Sequence, residues 1–438
     1  MSSVRAYARS GIWVFIEKAI RLFSSLAVGI VLARYLGPAD FGDLSYAQSV
    51  IGLLAIFITL GLEAVVVRRL VQRIDSPELV LGSAALSSLA AATVSVMLVL
   101  VFALLFVKNA QQAQYICILS ISIPLQVVGT VSYAFQADSK MGPVMRAQII
   151  QVVVSLVVKL MLALLNAPPV FFVWSVVADA VVLAGLLYVV GTTGGTPIFQ
   201  WRFSGATAMS MLKESWPLIF AGIGFSLCLR ISQVTLNHYW GSTVVGEFSV
   251  AARIFESTCY LAIAVTRVVG APIFDARLAG NVVYTRRLQA VYDLTSMGGI
   301  LLGIGVSIFG AGLVHLLFGG GYLNAGKVFE LLMWATLPIA LLQIHTIGLV
   351  AEARSRETMW RVAALVLFSI MLNLALVPSY GAVGAAWAML LSQSITSVLF
   401  LSIRSGGIPH FSMVMKSLVL PLSVARIARS LNTMRKAI

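Results

Sequence analysis

Ten charged residues fall inside stretches that are otherwise apolar: Glu17, Lys18, Arg21, Glu63, Lys159, Asp179, Arg230, Arg253, Glu256 and Arg267. An ionisable group in hydrocarbon costs about 2.5–3.5 kcal/mol at the bilayer centre, so such groups face a cavity or a partner. Six of the ten are cationic and four anionic, which makes a polar interior built from them net positive. That sign suits a phosphate-bearing ligand, because guanidinium and ammonium groups replace the water that the phosphate gives up.

The ten do not carry equal weight. Arg230 and Lys159 have no acidic residue within a helical turn, which makes them the first candidates for substrate contact. Arg21, Arg253 and Arg267 complete the candidate cationic set. Glu17 and Arg21 are four residues apart and Arg253 and Glu256 three apart, so each couple is spaced to pair along its own helix as structural glue. Glu63 and Arg267 sit about a turn from a helix end, where long side chains reach the interface by snorkelling. Asp179, in the middle of its stretch, is a candidate counter-ion or a proton-coupling carboxylate, with Glu17 and Glu256 as further candidates for those roles. His238, His315 and His345 show no ligand spacing, and the three cysteines stand isolated in apolar runs. No metal site and no cofactor is expected.

The elements that must position these residues are membrane helices. The 438 residues are 60% hydrophobic and only 11% charged, with a mean hydropathy of +0.98. The expected class is an all-α polytopic membrane protein. Apolar runs of about 20 residues, each enough to cross roughly 30 Å of hydrocarbon, recur along the chain. Hydropathy places twelve spans near 12–33, 44–67, 79–107, 115–136, 144–166, 169–190, 215–237, 246–272, 294–318, 328–350, 360–378 and 382–403. With the N-terminus in the cytoplasm, most of the 30 Lys and Arg lie on the cytoplasmic side, and Arg34, Lys108 and Lys327 lie outside. The positive-inside rule therefore puts both termini in the cytoplasm. The net charge of +14 is spread over cytoplasmic loops and a basic tail, which points to the anionic inner leaflet and not to nucleic acid. Glu17, Lys18 and Arg21 interrupt the first apolar run, so a cleavable signal is not expected. Val424, Ile427, Leu431 and Met434 alternate with Arg426, Arg429, Arg435 and Lys436 as an amphipathic surface helix would. Tyr35, Tyr239, Trp240 and Tyr322 fall at span ends, where an interfacial belt is the ordinary role and stacking on sugar rings the alternative.

The chain repeats itself. Leu32 to Ala47 aligns without gaps on Leu236 to Ala251, matching Tyr35 with Tyr239, Gly37 with Gly241, Gly42 with Gly246 and Asp43 with Glu247. A second register, after a longer loop near Phe274 to Asp293, sets Pro124 on Pro338, Lys140 on Arg354 and Asp179 on Gln393. Paired prolines within the fourth and tenth spans predict matched helix bends. The expected organisation is a six-helix bundle over 1–190, a cytoplasmic linker over 191–214, a second bundle over 215–403 and a basic tail over 404–438. Two halves of the same orientation are the usual architecture of a transporter that rocks about a trapped site.

The motif ARYLGPADFG at Ala33 to Gly42, followed by YAQS and a second span, resembles the polysaccharide transporter family. These are the Wzx-type flippases of the multidrug/oligosaccharidyl-lipid/polysaccharide superfamily. The resemblance covers the whole chain in span number, length and duplication. It implies a transporter of the bacterial inner membrane, not an enzyme. Such proteins move undecaprenyl-diphosphate-linked oligosaccharide units to the periplasmic leaflet for O-antigen, capsule or exopolysaccharide. Membrane lipids, a coupling proton or sodium ion, and the polymerase and chain-length machinery are the partners it implies. A cation-coupled multidrug exporter of the same superfamily is the alternative, and a net-positive lumen argues against it. A membrane polymerase or ligase needs extramembrane acid and base residues, and the loops here carry no such cluster.

Overall fold

Residues near the apolar runs form helices almost without interruption. The computed structural model describes residues 2–59, 61–138, 140–194, 200–278, 280–322, 324–352, 354, 356–402 and 410–419. Side chains at 2–19, 21–22, 54–59, 216–225, 260–272, 274–275, 278, 350–351 and 356 fall outside that description. Among the described residues there is no strand.

Helix α1 (Ser2–Thr59) carries the first two expected spans across a break at Gly37, and α2 (Leu62–Gln72) continues the second. Helix α3 (Pro77–Phe106) is the third span. The fourth is built from α4 (Ala110–Ser120), α5 (Ser122–Leu125), a 3-10 turn (Gln126–Thr130) and α6 (Val131–Ala137). Helices α7 (Gly142–Leu164) and α8 (Pro169–Thr193) form an antiparallel hairpin. Then follow α9 (Gly205–Trp240), α10 (Ser242–Leu278), α11 (Asn281–Phe318) and α12 (Ala325–Ala351). Helix α13 (Arg356–Ser402) holds the last two spans across a break at Gly381, and α14 (His410–Leu418) closes the described chain. Seven described helices or helix groups are long and apolar enough to cross a membrane. Helices α3 and α11 turn Met97, Leu104, Leu105, Ile308, Phe309 and Leu316 outward, more than half exposed. Such surface is tolerable only where lipid covers it. The chain is a multi-pass helical membrane protein.

The fold divides into two compact units, Met1–Ile223 and Gly224–Ile438. The repeated motif adopts the same turn in both. Gly37 has φ 72° and Gly241 φ 78°, a region that a Cβ makes costly and glycine enters freely. Beside each turn a buried carboxylate accepts from a side-chain amide. Asp43 takes a bond from Gln112 Nε2 at 2.7 Å, and Glu247 takes one from Asn324 Nδ2 at 3.1 Å. An aromatic group at each turn also donates to a carbonyl on another helical hairpin: Tyr35 to Ala167 at 2.9 Å, Trp240 to Val377 at 2.8 Å. Each such bond contributes about 1 kcal/mol and ties the first helix pair of a unit to its last pair. Tyr35 also packs on Phe172, ring centroids 5.3 Å apart, which locks the turn against α8.

The paired prolines differ in effect. Pro124 lacks the N–H that Ser120 O would accept, and the helix breaks at Ile121. The hydroxyls of Ser120 and Ser122 occupy the carbonyls of Cys117 and Leu119 around that break. Pro338 instead lies within the unbroken run of α12. Glu63 is exposed in the first turn of α2, just past the left-handed Gly61.

Between α8 and α9 the chain is pinned to α3. Arg202 N–H donates to Glu78 O at 3.0 Å and Ser204 N–H to Ser83 Oγ at 3.1 Å. Gly82 permits this, because a Cβ there would meet Arg202 O at 2.2 Å. Buried Arg69 of α2 reaches Ser210 Oγ at 2.7 Å and Glu214 Oε2 at 3.3 Å at the start of α9.

Candidate functional site

In the first unit, Lys159 of α7 and Asp179 of α8 form an ion pair inside the helical hairpin. The turn between the helices explains the meeting. Asn166 takes the left-handed φ of 51°, its N–H and that of Ala167 return to Ala163 O and Leu162 O, and Pro169 restarts the chain as α8. Helical side chains lean toward the N-terminus, so Lys159 reaches back one turn to Ser155. Ser155 Oγ in turn donates to Asp179 Oδ2 at 2.9 Å. Lys159 is only 6% exposed, and breaking a fully buried pair by removing one partner costs about 3–5 kcal/mol. The expectation that Lys159 lacks a carboxylate holds along its own helix only; the partner arrives from the next one.

The second unit carries the equivalent residues without charge. The register that sets Pro124 on Pro338 also sets Ser155 on Ser369, Lys159 on Asn373 and Asp179 on Gln393. All three are buried in α13, and Asn373 Nδ2 donates to Ser369 O at 2.7 Å. A neutral trio fills this position, with Asn373 Oδ1 buried and without a hydrogen-bond partner among the described residues.

Charge in the second unit lies elsewhere. Arg230 of α9 approaches Glu256 of α10, Nη2 to Oε1 3.8 Å, and its Nη1 donates to Gln233 Oε1 at 3.4 Å. Gln233 is oriented by its own bond to Ser249 Oγ at 2.8 Å. Glu256 also acts electrostatically on Arg253, as do Arg230 and Tyr322. The spacing of Arg253 and Glu256 predicts a couple within one helix. The structure brings Arg230 of the preceding helix to the same carboxylate. Arg230 and Glu256 side chains keep 28% and 26% of their surface open, so the cluster is reachable. Tyr322, expected at the interface, is 5% exposed in the turn between α11 and α12 and faces this cluster.

Lys159 with Asp179, and Arg230 with Arg253 and Glu256, are thus brought together, one set in each unit. The side chains of Glu17, Arg21 and Arg267 lie outside the described residues, as does the amphipathic run from Val424 to Lys436. Ser155 and Gln233 were not legible as site residues. Ser155 lies four residues before Lys159, a spacing that marks one helical face, and that was the available signal. Among the described residues no group of His, Cys, Asp and Glu is placed to hold a metal ion. The chemistry open to these clusters is charge recognition: two guanidinium groups suit a diphosphate, and a lysine–aspartate pair can be opened by an anion or by a proton.

The fold has solved relatives. The lipid II flippase MurJ in an inward closed conformation superposes with a TM-score of 0.72 at 11% identity, covering 98% of this chain and 99% of that one. An inward-facing multidrug resistance MATE family transporter of the MOP superfamily gives 0.68 at 12%, covering 92% and 95%. Both likenesses concern the fold. In sequence, the chain is 26% identical over 319 residues to the Succinoglycan biosynthesis transport protein ExoT of Rhizobium meliloti (strain 1021). That match takes in 69% of this chain and 60% of the relative's length. Residues 8–274 match the family described as Polysaccharide biosynthesis protein. This stretch exceeds half of the chain and runs from the first span through the eighth, and the chain therefore belongs to the polysaccharide biosynthesis protein family.

Proposed function

We propose that this protein is a flippase for a polyprenyl-diphosphate-linked oligosaccharide, moving it from the cytoplasmic to the periplasmic leaflet of the inner membrane. The observation that carries this reading is Arg230, which lies among the apolar spans of the second unit with Glu256 no nearer than 3.8 Å and 28% of its side chain open. A diphosphate offers the Arg230 guanidinium charge-assisted bonds, roughly twice as strong as neutral ones. The two bundles, taken as 1–190 and 215–403, alternate access to the headgroup while the polyprenyl tail stays in lipid. Both termini face the cytoplasm. The family and the transport role named for the Rhizobium meliloti relative support the same substrate class.

Lys159 and Asp179 are the proposed coupling pair. Asn373 and Gln393 fill the same place in the second unit without charge, so the ion pair is not a packing requirement. The test is polysaccharide output in a strain that depends on this gene, at matched protein level, for Arg230→Gln against wild type. A sharp loss supports the reading. Output equal to wild type with altered sensitivity to cationic dyes supports the drug-exporter alternative and removes the flippase assignment.

A further inference from the structure

The second unit holds a second buried cluster of titratable groups, around His410 and Glu352. Helix α14 packs along α11 and α13, and its first residue, His410, is 1% exposed. The imidazole Nε2 lies 3.0 Å from Glu352 Oε1, and Nδ1 lies 3.3 Å from the Tyr292 hydroxyl. Tyr284 donates to the same carboxylate oxygen at 3.1 Å. Beside them His345, also 1% exposed, sets its ring 4.9 Å from that of His410. Both of its ring nitrogens, and Glu352 Oε2, are buried with no hydrogen-bond partner among the described residues. Gly348 lets the rings approach, since a Cβ there would meet His410 Cε1 at 2.9 Å.

The groups facing this cluster come from every neighbouring element. Helix α11 presents Tyr284 and Tyr292, with Asp293 held by Gln289, which also donates to Met413 O. Arg361 of α13 donates to Leu342 O at 2.9 Å, and Arg354, before α13, pairs with Glu357. Arg277 of α10 lies over the Tyr284 ring, 5.1 Å from its centroid.

We propose that His345, Glu352 and His410 form a buried one-proton binding site, and that its occupancy clamps α14 onto α11 and α12. When His410 is neutral, Nε2–H donates to Glu352 and the Tyr292 hydroxyl donates to Nδ1. A proton arriving at Nδ1 reverses the second bond, because a hydroxyl serves equally as donor and acceptor. No hydrogen bond is lost, and the buried carboxylate gains a cation against it. Two imidazolium rings this close, near Arg354 and Arg361, repel each other, so the pair holds one proton and titrates as a unit. The site shares no residue with the Arg230, Arg253 and Glu256 cluster.

The test uses the full-length protein in lipid nanodiscs with carbon-13-labelled histidine, of which the chain has four. Titration from about pH 8.5 to about pH 5 should show His410 taking up one proton. Hydrogen exchange over residues 410–418, corrected for intrinsic rate, should slow by roughly tenfold across the same range, about what doubling one hydrogen bond yields. Glu352→Gln should move the His410 midpoint down, and His345→Gln should move it up by removing the competing ring. His410→Gln should leave α14 exchange flat with pH. A His410 signal that stays neutral throughout, a midpoint unmoved by both neighbouring variants, or α14 exchange independent of pH in the wild type would each overturn the proposal. If His410→Gln does not fold, the two neighbouring variants decide the matter by their midpoints.

Discussion

Lys159 and Asn373 occupy the same position in the two repeats, and only the first is charged. Lys159 pairs with Asp179 across the α7–α8 hairpin, while Asn373 bonds within its own helix to Ser369. The second unit is therefore a built-in control for the first. It keeps the helical hairpin, its polar face and its burial, and dispenses with the ion pair.

Neutralising one member of that pair should cost more than neutralising both. Lys159→Asn leaves the half-buried Asp179 without its counter-ion, a loss below the roughly 3–5 kcal/mol of a fully buried pair. Lys159→Asn with Asp179→Gln reproduces the residues of the second unit and should restore most of that loss. Thermal unfolding of the purified protein measures this difference directly. Polysaccharide output should stay low in the double variant even though its stability returns, because the pair then serves coupling and not packing.

Arg230→Gln should weaken binding of a lipid-linked diphosphate by a charge-assisted contact, about 1.5–3 kcal/mol, or roughly 10- to 150-fold. Arg230→Lys should recover part of it, since the charge stays while the planar fork is lost. Equilibrium binding of a short polyprenyl diphosphate checks both, and affinity equal to wild type in the Gln variant removes Arg230 from the site.

Gly37→Ala should destabilise the first unit by about 1–3 kcal/mol, because φ 72° with ψ 175° is a region essentially reserved for glycine. Nothing lies within 4 Å of the added Cβ, so the cost is backbone strain and not a clash. Gly241→Ala, at φ 78°, should behave alike. A melting temperature unchanged by either substitution would show that the two turns relax freely.

Gly82→Ala acts by collision instead. Its Cβ would sit 2.2 Å from Arg202 O, so the segment from Trp201 to Ser204 must lift from α3. Faster cleavage there by added protease, relative to wild type, is the expected outcome.

Glu352 gives a pH dependence with a defined sign. Burial pushes its carboxyl up, but the hydrogen bonds from His410 and Tyr284 and the charges of His410 and Arg277 hold it below its ordinary value. A depressed folded-state value means that its stabilisation is fully present above the ordinary carboxylate range. That stabilisation is lost as pH falls through the depressed value. Glu352→Gln should flatten this acid limb of the stability profile, read by unfolding temperature against pH.

Hydropathy and charge in the sequence determined that this is an all-helical, multi-pass membrane protein, because 20 apolar residues have few alternatives to a helix in lipid. The repeat was legible as well, since Gly37 and Gly241 answer to a backbone angle that no other residue adopts cheaply. The charged residues of the spans were equally visible. Their partners were not. Periodicity along one helix sees neighbours three and four residues away, so it couples Arg253 to Glu256 and leaves Lys159 and Arg230 alone. Tertiary structure decided otherwise, bringing Asp179 to Lys159 across a hairpin and Glu256 to Arg230 across two helices. His410 makes the same point over a longer distance. It lies 58 residues from Glu352 along the chain and meets it only because α14 folds back on the bundle. Apolar burial that is legible locally sets the helices, and long-range packing chooses which of their few charges meet, because a buried charge takes whatever partner the fold delivers.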